Sequence, residues 1–135
     1  MPEKPTKVLH TSSAHRGIQD FLSRHDPKIV IVSGQASGTQ FPLAREQQTL
    51  GRGPGVDLVF DEASMSRRHA SIEFAGDGFR IRDLGSTNGV AVNGHPVQAV
   101  DLQHGDRIEM GELVLQVLYD VRQETEEAYE LPAED

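Results

Sequence analysis

Three short clusters hold the side chains best suited to chemistry with an anionic oxygen: Gly51-Arg52, Ser66-Arg67-Arg68-His69 and Ser86-Thr87-Asn88-Gly89. An arginine guanidinium presents a planar fork that matches two phosphate oxygens. A serine or threonine hydroxyl donates to the same oxygens, and so does the main-chain N–H of Ser66. Asn88 carries both a donor and an acceptor, so it can pair with a peptide main chain as a neighbouring strand would. Each cluster falls where a strand pattern breaks, so three loops could serve one phosphate. No cluster contains an evident nucleophile–base pair. That favours reading a phosphate over transferring it. Singly, each cluster also reads more plainly: a solvated loop arginine, a histidine opening a strand, a run of turn formers.

The elements that must position these clusters are short strands. Ile29-Val30-Ile31-Val32 is an apolar run stopped by Ser33-Gly34, and Phe41, Leu43, Thr49 and Leu50 lead to the turn Gly51-Arg52-Gly53-Pro54-Gly55. Asp57-Leu58-Val59-Phe60 reads as another strand. Ala70, Ile72 and Phe74 alternate with polar residues, as one buried face requires. Gly76-Asp77-Gly78 and Asn93-Gly94 are hairpin signals. Val97, Val100, Ile108 and Met110 mark further short strands, and Glu112–Tyr119 reads as the last one. Roughly ten strands without βαβ alternation predict an all-β sandwich or barrel. With few aromatic residues, Val, Leu and Ile are expected to fill the core.

The β text covers residues 28–120. Residues 1–27 form an N-terminal extension, and residues 121–135 an acidic tail expected to be disordered. Residues 1–13 read as a polar arm. Ala14, Ile18, Phe21 and Leu22 follow at helical spacing, with Ser13 as a cap and Asp26-Pro27 as a stop. The stretch is either a short docked helix or a frayed extension.

The net charge of −8 is uneven. Residues 1–27 hold four basic and three acidic groups, residues 28–120 eight and twelve, and residues 121–135 one and six. This surface opposes general nucleic-acid binding, which needs a basic stripe. Any anion site must be built locally, against an unfavourable mean field. There is no cysteine, and the six histidines show no ligand spacing, so no metal and no cofactor are expected. No segment has the apolar length of a membrane span, and Met1–Pro5 lacks the run of a secretory signal. A soluble cytoplasmic protein is expected, with no membrane partner.

Together, in this order and on this β pattern, the clusters resemble the forkhead-associated (FHA) domain. Gly51-Arg52, Ser66-x-x-His69 and Asn88-Gly89 match the family's signature positions, and Asp83-Leu84-Gly85-Ser86-Thr87-Asn88-Gly89 matches its most recognisable run. Asn93-Gly94 and Gly105-Asp106-Arg107-Ile108 also fit. The resemblance implies a β-sandwich of about eleven strands that binds phosphothreonine peptides through loops at one end. It implies that Arg52 and Ser66 hold the phosphate, with Thr87 assisting, Asn88 gripping the peptide main chain and Arg67 a secondary contact. Gly51, His69 and Gly89 would support the site structurally.

The function expected from this resemblance is a phosphothreonine-peptide-binding adaptor, no enzyme, acting downstream of a Ser/Thr protein kinase. Its partners would be phosphothreonine-containing proteins and that kinase. Thr6 or Thr11 could supply a ligand in cis, because an arm of that length can fold back to the loops. A second reading is a phosphate-independent interaction module in a larger assembly. A third, an enzyme using Ser66 and His69, is poorer. There is no Gly-x-Ser-x-Gly elbow. Moreover, two side chains three apart in an extended segment tend to diverge. Arg67-Arg68-His69-Ala70-Ser71 also looks like a basophilic kinase site, though Ser71 falls within a predicted strand.

Overall fold

The alternation read in the sequence becomes two stacked sheets in a computed structural model of the chain, which describes residues 16–122. A helix, α1, at residues 16–24 precedes eleven strands. They are β1 His25–Ile31, β2 Gln40–Pro42, β3 Gln47–Gly51, β4 Leu58–Val59, β5 Ala70–Ala75 and β6 Gly78–Asp83. Next come β7 Val90–Val92, β8 His95–Val97, β9 Ala99–Leu102, β10 Arg107–Met110 and β11 Leu113–Val121. One sheet has six strands in the order β2-β1-β11-β10-β7-β8, the other five in the order β4-β3-β5-β6-β9. All pairings described are antiparallel except β3 with β4.

Side chains two apart on a strand share a face, and these strands use that rule to fill the core. Ile29, Ile31, Val92, Ile108, Met110, Leu115 and Val117 face inward from the six-stranded sheet, against Leu50, Ala70, Ile72, Phe79 and Ile81 from the other. The run Ile29–Val32 is not buried throughout: Ile29 and Ile31 are buried, whereas Val30 is half-buried. The Asn93-Gly94 hairpin joins β7 to β8 with φ of 53° and 83°. Two positive values are what a tight hairpin turn requires, and asparagine and glycine tolerate them best. Ser71 of the basophilic motif is buried in β5, 2 % exposed, out of a kinase's reach.

The helix expected before the sheets is present over residues 16–24 and is docked rather than frayed; Ser13 and Ala14 lie outside the described residues. Ile18 and Phe21 are each 3 % exposed and belong to the core. Asp26-Pro27 is not its stop. The helix ends at residue 24, and β1 starts at His25 and runs through both residues. A proline disfavours helix in the residue before it but fits an extended chain, so the helix ends ahead of the pair. From the far end of β11, Arg122 donates its main-chain N–H to Arg24 O at 2.9 Å and its Nε to Leu22 O at 2.8 Å. Carbonyls that a helix leaves unpaired at its C-terminus are thus satisfied.

Phe21 meets Phe74, Phe79 and Tyr119 edge-on, with ring centroids 5.4–5.9 Å apart. The Tyr119 hydroxyl donates to Leu102 O and accepts from Phe79 N, and burial pushes its pKa up to about 12. This aromatic end lies opposite the loops that carry the three clusters. Strand β5 runs from Ala70, beside His69, to Ala75, beside the hairpin that packs near Phe74 and Phe79.

Candidate functional site

Each cluster sits in a loop whose ends are strand termini, and the loops are stitched together by main-chain hydrogen bonds. Arg52 lies just past β3, where its N–H donates to Ser66 O at 3.0 Å, and Gly53 N donates to Arg67 O at 3.3 Å. The two loops therefore run side by side. That proximity explains Gly51. Its φ is not positive; instead, a Cβ there would collide with the Arg67 carbonyl. The residue serves close approach, not the unusual backbone angle that a glycine at a turn suggests.

The loop that carries Arg52 is closed at its base by Asp57. Its carboxylate accepts from Thr49 N at 2.8 Å and from Thr49 Oγ1 at 3.2 Å. The main-chain bond from Thr49 holds the Asp57 pKa below its ordinary value, helped by the Thr49 hydroxyl and the Arg45 charge. Arg52 Nε donates to Met65 O at 3.0 Å, which aims an otherwise exposed side chain along the second loop. Among the described residues, the rest of the guanidinium makes no hydrogen bond or ion pair.

His69 joins the second loop to the third. It is fully buried. Nδ1 accepts from Ser66 N at 3.0 Å, and Nε2 lies 2.7 Å from Gly89 O. With Nδ1 facing an N–H, the ring proton belongs on Nε2, which donates to Gly89 O. Two expectations change here. The Ser66 N–H is engaged by His69 and is not offered to a ligand. The 66–69 segment also bends instead of running extended, which brings the ring onto the serine main chain, while the Ser66 hydroxyl meets Thr87 N and not the ring. A histidine whose basic lone pair is occupied this way cannot take a proton from Ser66.

The third loop is held by Asp83 and Ser86. Asp83 Oδ1 accepts from Ser86 N at 3.1 Å and Oγ at 2.7 Å, and Gly89 N donates to Ser86 Oγ at 2.9 Å. Gly89 has φ +77°, which lets the chain turn back into β7. Thr87 N donates to Ser66 Oγ at 3.0 Å, which leaves the Ser66 hydroxyl proton for another acceptor. Asn88 Nδ2 donates to Ser64 O at 2.8 Å, so Oδ1 and one N–H remain available. Arg67 is exposed, and its stem lies against Gly53, where a Cβ would come within 3.0 Å of Cγ.

Arg52, Ser66, Thr87 and Asn88 are thereby brought to one end of the sandwich, with Arg67 beside them and Gly51, His69 and Gly89 beneath. The arrangement presents a guanidinium, two hydroxyls and a carboxamide to solvent. It can donate several charge-assisted hydrogen bonds to a phosphate dianion. Among the described residues, no group of three or more His, Asp or Glu side chains is arranged to hold a metal ion. Thr6 and Thr11 lie outside the described residues.

The sequence reading missed Ser64. Its Oγ donates to Glu62 at 2.6 Å and accepts from Glu112 N at 2.8 Å, and its carbonyl holds Asn88. Those partners lie up to 48 residues away, so no local pattern points to it. Asp83-x-x-Ser86 could have been recognised, since a carboxylate bonding three residues ahead is a common turn device.

The FHA domain family model matches residues 48–111, and the chain belongs to the FHA family. Among curated relatives, the glycogen accumulation regulator GarA of Mycolicibacterium smegmatis is 36% identical over 105 residues, covering 78% of this chain and 66% of that one. The oxoglutarate dehydrogenase inhibitor of Corynebacterium glutamicum is 37% identical over 105 residues, covering 78% and 73%. The chain spans just under two thirds of the length of the first relatives it matches. An FHA domain solved for its phosphothreonine-dependent interactions has a TM-score of 0.64 and 31% identity, covering 69% of this chain and 95% of its own. The FhaA FHA domain, solved in complex with the intracellular domain of Rv3910, has a TM-score of 0.62 and 32% identity, covering 67% and 98%. No helix among the described residues is long and apolar enough to cross a membrane.

Proposed function

We propose that this chain is a phosphothreonine-peptide-binding adaptor that acts downstream of a Ser/Thr protein kinase in the cytoplasm. In this reading Arg52 and Ser66 hold the phosphate and Thr87 assists. Asn88 pairs with the peptide main chain, and Arg67 flanks the phosphate. The observation that supports it most is the bond from Thr87 N to Ser66 Oγ, beside an Arg52 loop fastened to Ser66 O. These bonds fasten together three loops separated in sequence, and the Arg52 guanidinium and the Ser66 hydroxyl keep protons to donate. The relatives named as an oxoglutarate dehydrogenase inhibitor and a glycogen accumulation regulator support a metabolic enzyme as the docked or regulated partner.

Calorimetry with matched phosphothreonine and unmodified peptides tests this reading. Each charge-assisted bond contributes roughly 1.5–3 kcal/mol, so the unmodified peptide is expected to bind at least about a hundredfold more weakly. Equal affinity for the pair would overturn the reading in favour of a phosphate-independent module. Phosphorylated Thr6 or Thr11 is a candidate ligand in cis. If so, phosphorylating the arm weakens binding of an external phosphopeptide; unchanged affinity would dismiss this self-ligand.

A further inference from the structure

Beside the phosphate-facing loops lies a groove of about 580 Å³ that the reading above does not use. Its size is that of a ligand-accepting site. Its walls are the loop at residues 33–39, the segment following β4, and the turn between β10 and β11. The floor is apolar. Phe41 and Phe60 pack with ring centroids 4.7 Å apart, and Val59, at 54% exposed, is one of two large hydrophobic side chains left open among the described residues. The rim is acidic: Asp61, Glu62 and Glu112 line it with no basic side chain among them.

The walls are built rather than loose. Within the 33–39 loop, Gly38 N donates to Ile31 O at 2.7 Å, and Thr39 donates to Ala36 O through both N and Oγ1. Val114 N donates to Ser33 Oγ at 3.1 Å and ties that wall to β11. Glu62 is held by Ser64 Oγ and N. Asp61 and Glu112 make no side-chain hydrogen bond or ion pair among the described residues. Ser64 is also where groove and phosphate loops meet, because its carbonyl holds Asn88 while its hydroxyl joins Glu62 and Glu112. Ser64 thus ties the Asn88 loop directly to Glu62 and Glu112 on the groove's rim.

An apolar floor under a carboxylate rim suits a side chain with an aliphatic stem and a cationic tip. We propose that this groove takes a lysine or arginine of the bound phosphopeptide, its stem on Val59 and Phe41 and its cation at Asp61, Glu62 and Glu112. The groove thus selects phosphothreonine peptides that carry a basic residue at one set position. The inference rests on the phosphothreonine reading and deepens it.

The test scans arginine, and separately norleucine, through each position on both sides of the phosphothreonine in otherwise neutral peptides, titrated against the intact protein. Norleucine keeps an aliphatic stem without the charge. One position is expected to favour arginine over norleucine by about fivefold, the size of two or three exposed ion pairs. That preference shrinks at high salt. It is lost in the Asp61→Asn/Glu112→Gln protein, whose affinity for the norleucine peptide stays at the wild-type level. A preference spread evenly over all positions would show only the general pull of an acidic protein and would overturn the proposal. So would a preference that survives Asp61→Asn/Glu112→Gln. Arg52→Ala separates the two levels. If it removes binding while the scan is flat, the groove assignment fails alone; if it changes nothing, the phosphothreonine reading fails as well.

Discussion

The two ends of this sandwich are held by different forces. At the loop end, Arg52, Ser66, Thr87 and Asn88 lie at the surface, and their loops are fixed by hydrogen bonds that involve Ser64, His69, Asp83 and Ser86. Close approach there depends on Gly51, not on hydrophobic contact. At the other end, α1 is held by Phe21 among Phe74, Phe79 and Tyr119, with Arg122 capping its last turn. Directional bonds position polar groups within a few tenths of an ångström but add little net stability each. Aromatic burial adds much stability with looser geometry. Binding and stability should therefore be separable by mutation, one at each end.

The largest expected effect is at the aromatic end. Phe21→Ala should lower stability by about 3–5 kcal/mol, the usual loss for a buried phenylalanine. The phosphopeptide affinity of the molecules that remain folded should not change. Denaturant unfolding alongside calorimetry at low temperature checks both; weakened affinity would show that the two ends are coupled.

His69→Ala should break the comparison from the other side, because His69 stands at the polar end yet is fully buried. It strands Ser66 N and Gly89 O, at a cost of about 1–3 kcal/mol for each unsatisfied group. A lower melting temperature together with weaker binding is expected. Lost binding at an unchanged melting temperature would instead make His69 a direct ligand contact.

Arg52→Ala should sharpen the comparison. The side chain is exposed and, among the described residues, makes one hydrogen bond to the fold, to Met65 O. About a hundredfold loss of phosphopeptide affinity, roughly 2.7 kcal/mol, is expected with a melting temperature close to that of the wild type. Wild-type affinity in this variant would sink the site assignment.

The smallest effect concerns Asp57 and pH. Its folded pKa is lowered, chiefly by the Thr49 N–H. The stability it lends the Arg52 loop is therefore present above the ordinary carboxylate value of about 4 and is lost as pH falls through the lower folded value. Amide exchange at Thr49 should report loss of protection in that acidic window. Asp57→Asn keeps the shape of the side chain, and its exchange should show no such step.

Much of this molecule is legible in its residues alone. Ala70-Ser71-Ile72-Glu73-Phe74 alternates because one face of β5 is buried, and the Asn93-Gly94 turn follows from two positive φ values that few residues tolerate. The site clusters can be read because each is local. The helix boundary is less legible: Asp26-Pro27 signals a stop, but strand pairing claims His25 and both residues after it. Docking of α1 depends on Phe74, Phe79 and Tyr119, which lie far along the chain.

By itself, then, the sequence determined the strand pattern, the turns and the chemical types offered by three loops, since these follow from residues within a few positions of one another. Only the tertiary structure decided how those types are used. The Ser66 N–H goes to His69, Gly51 makes room for the Arg67 carbonyl, and Ser64 joins Asn88 to Glu112. Those assignments depend on atoms brought together by sheet packing across dozens of residues, a distance over which sequence spacing carries no geometry.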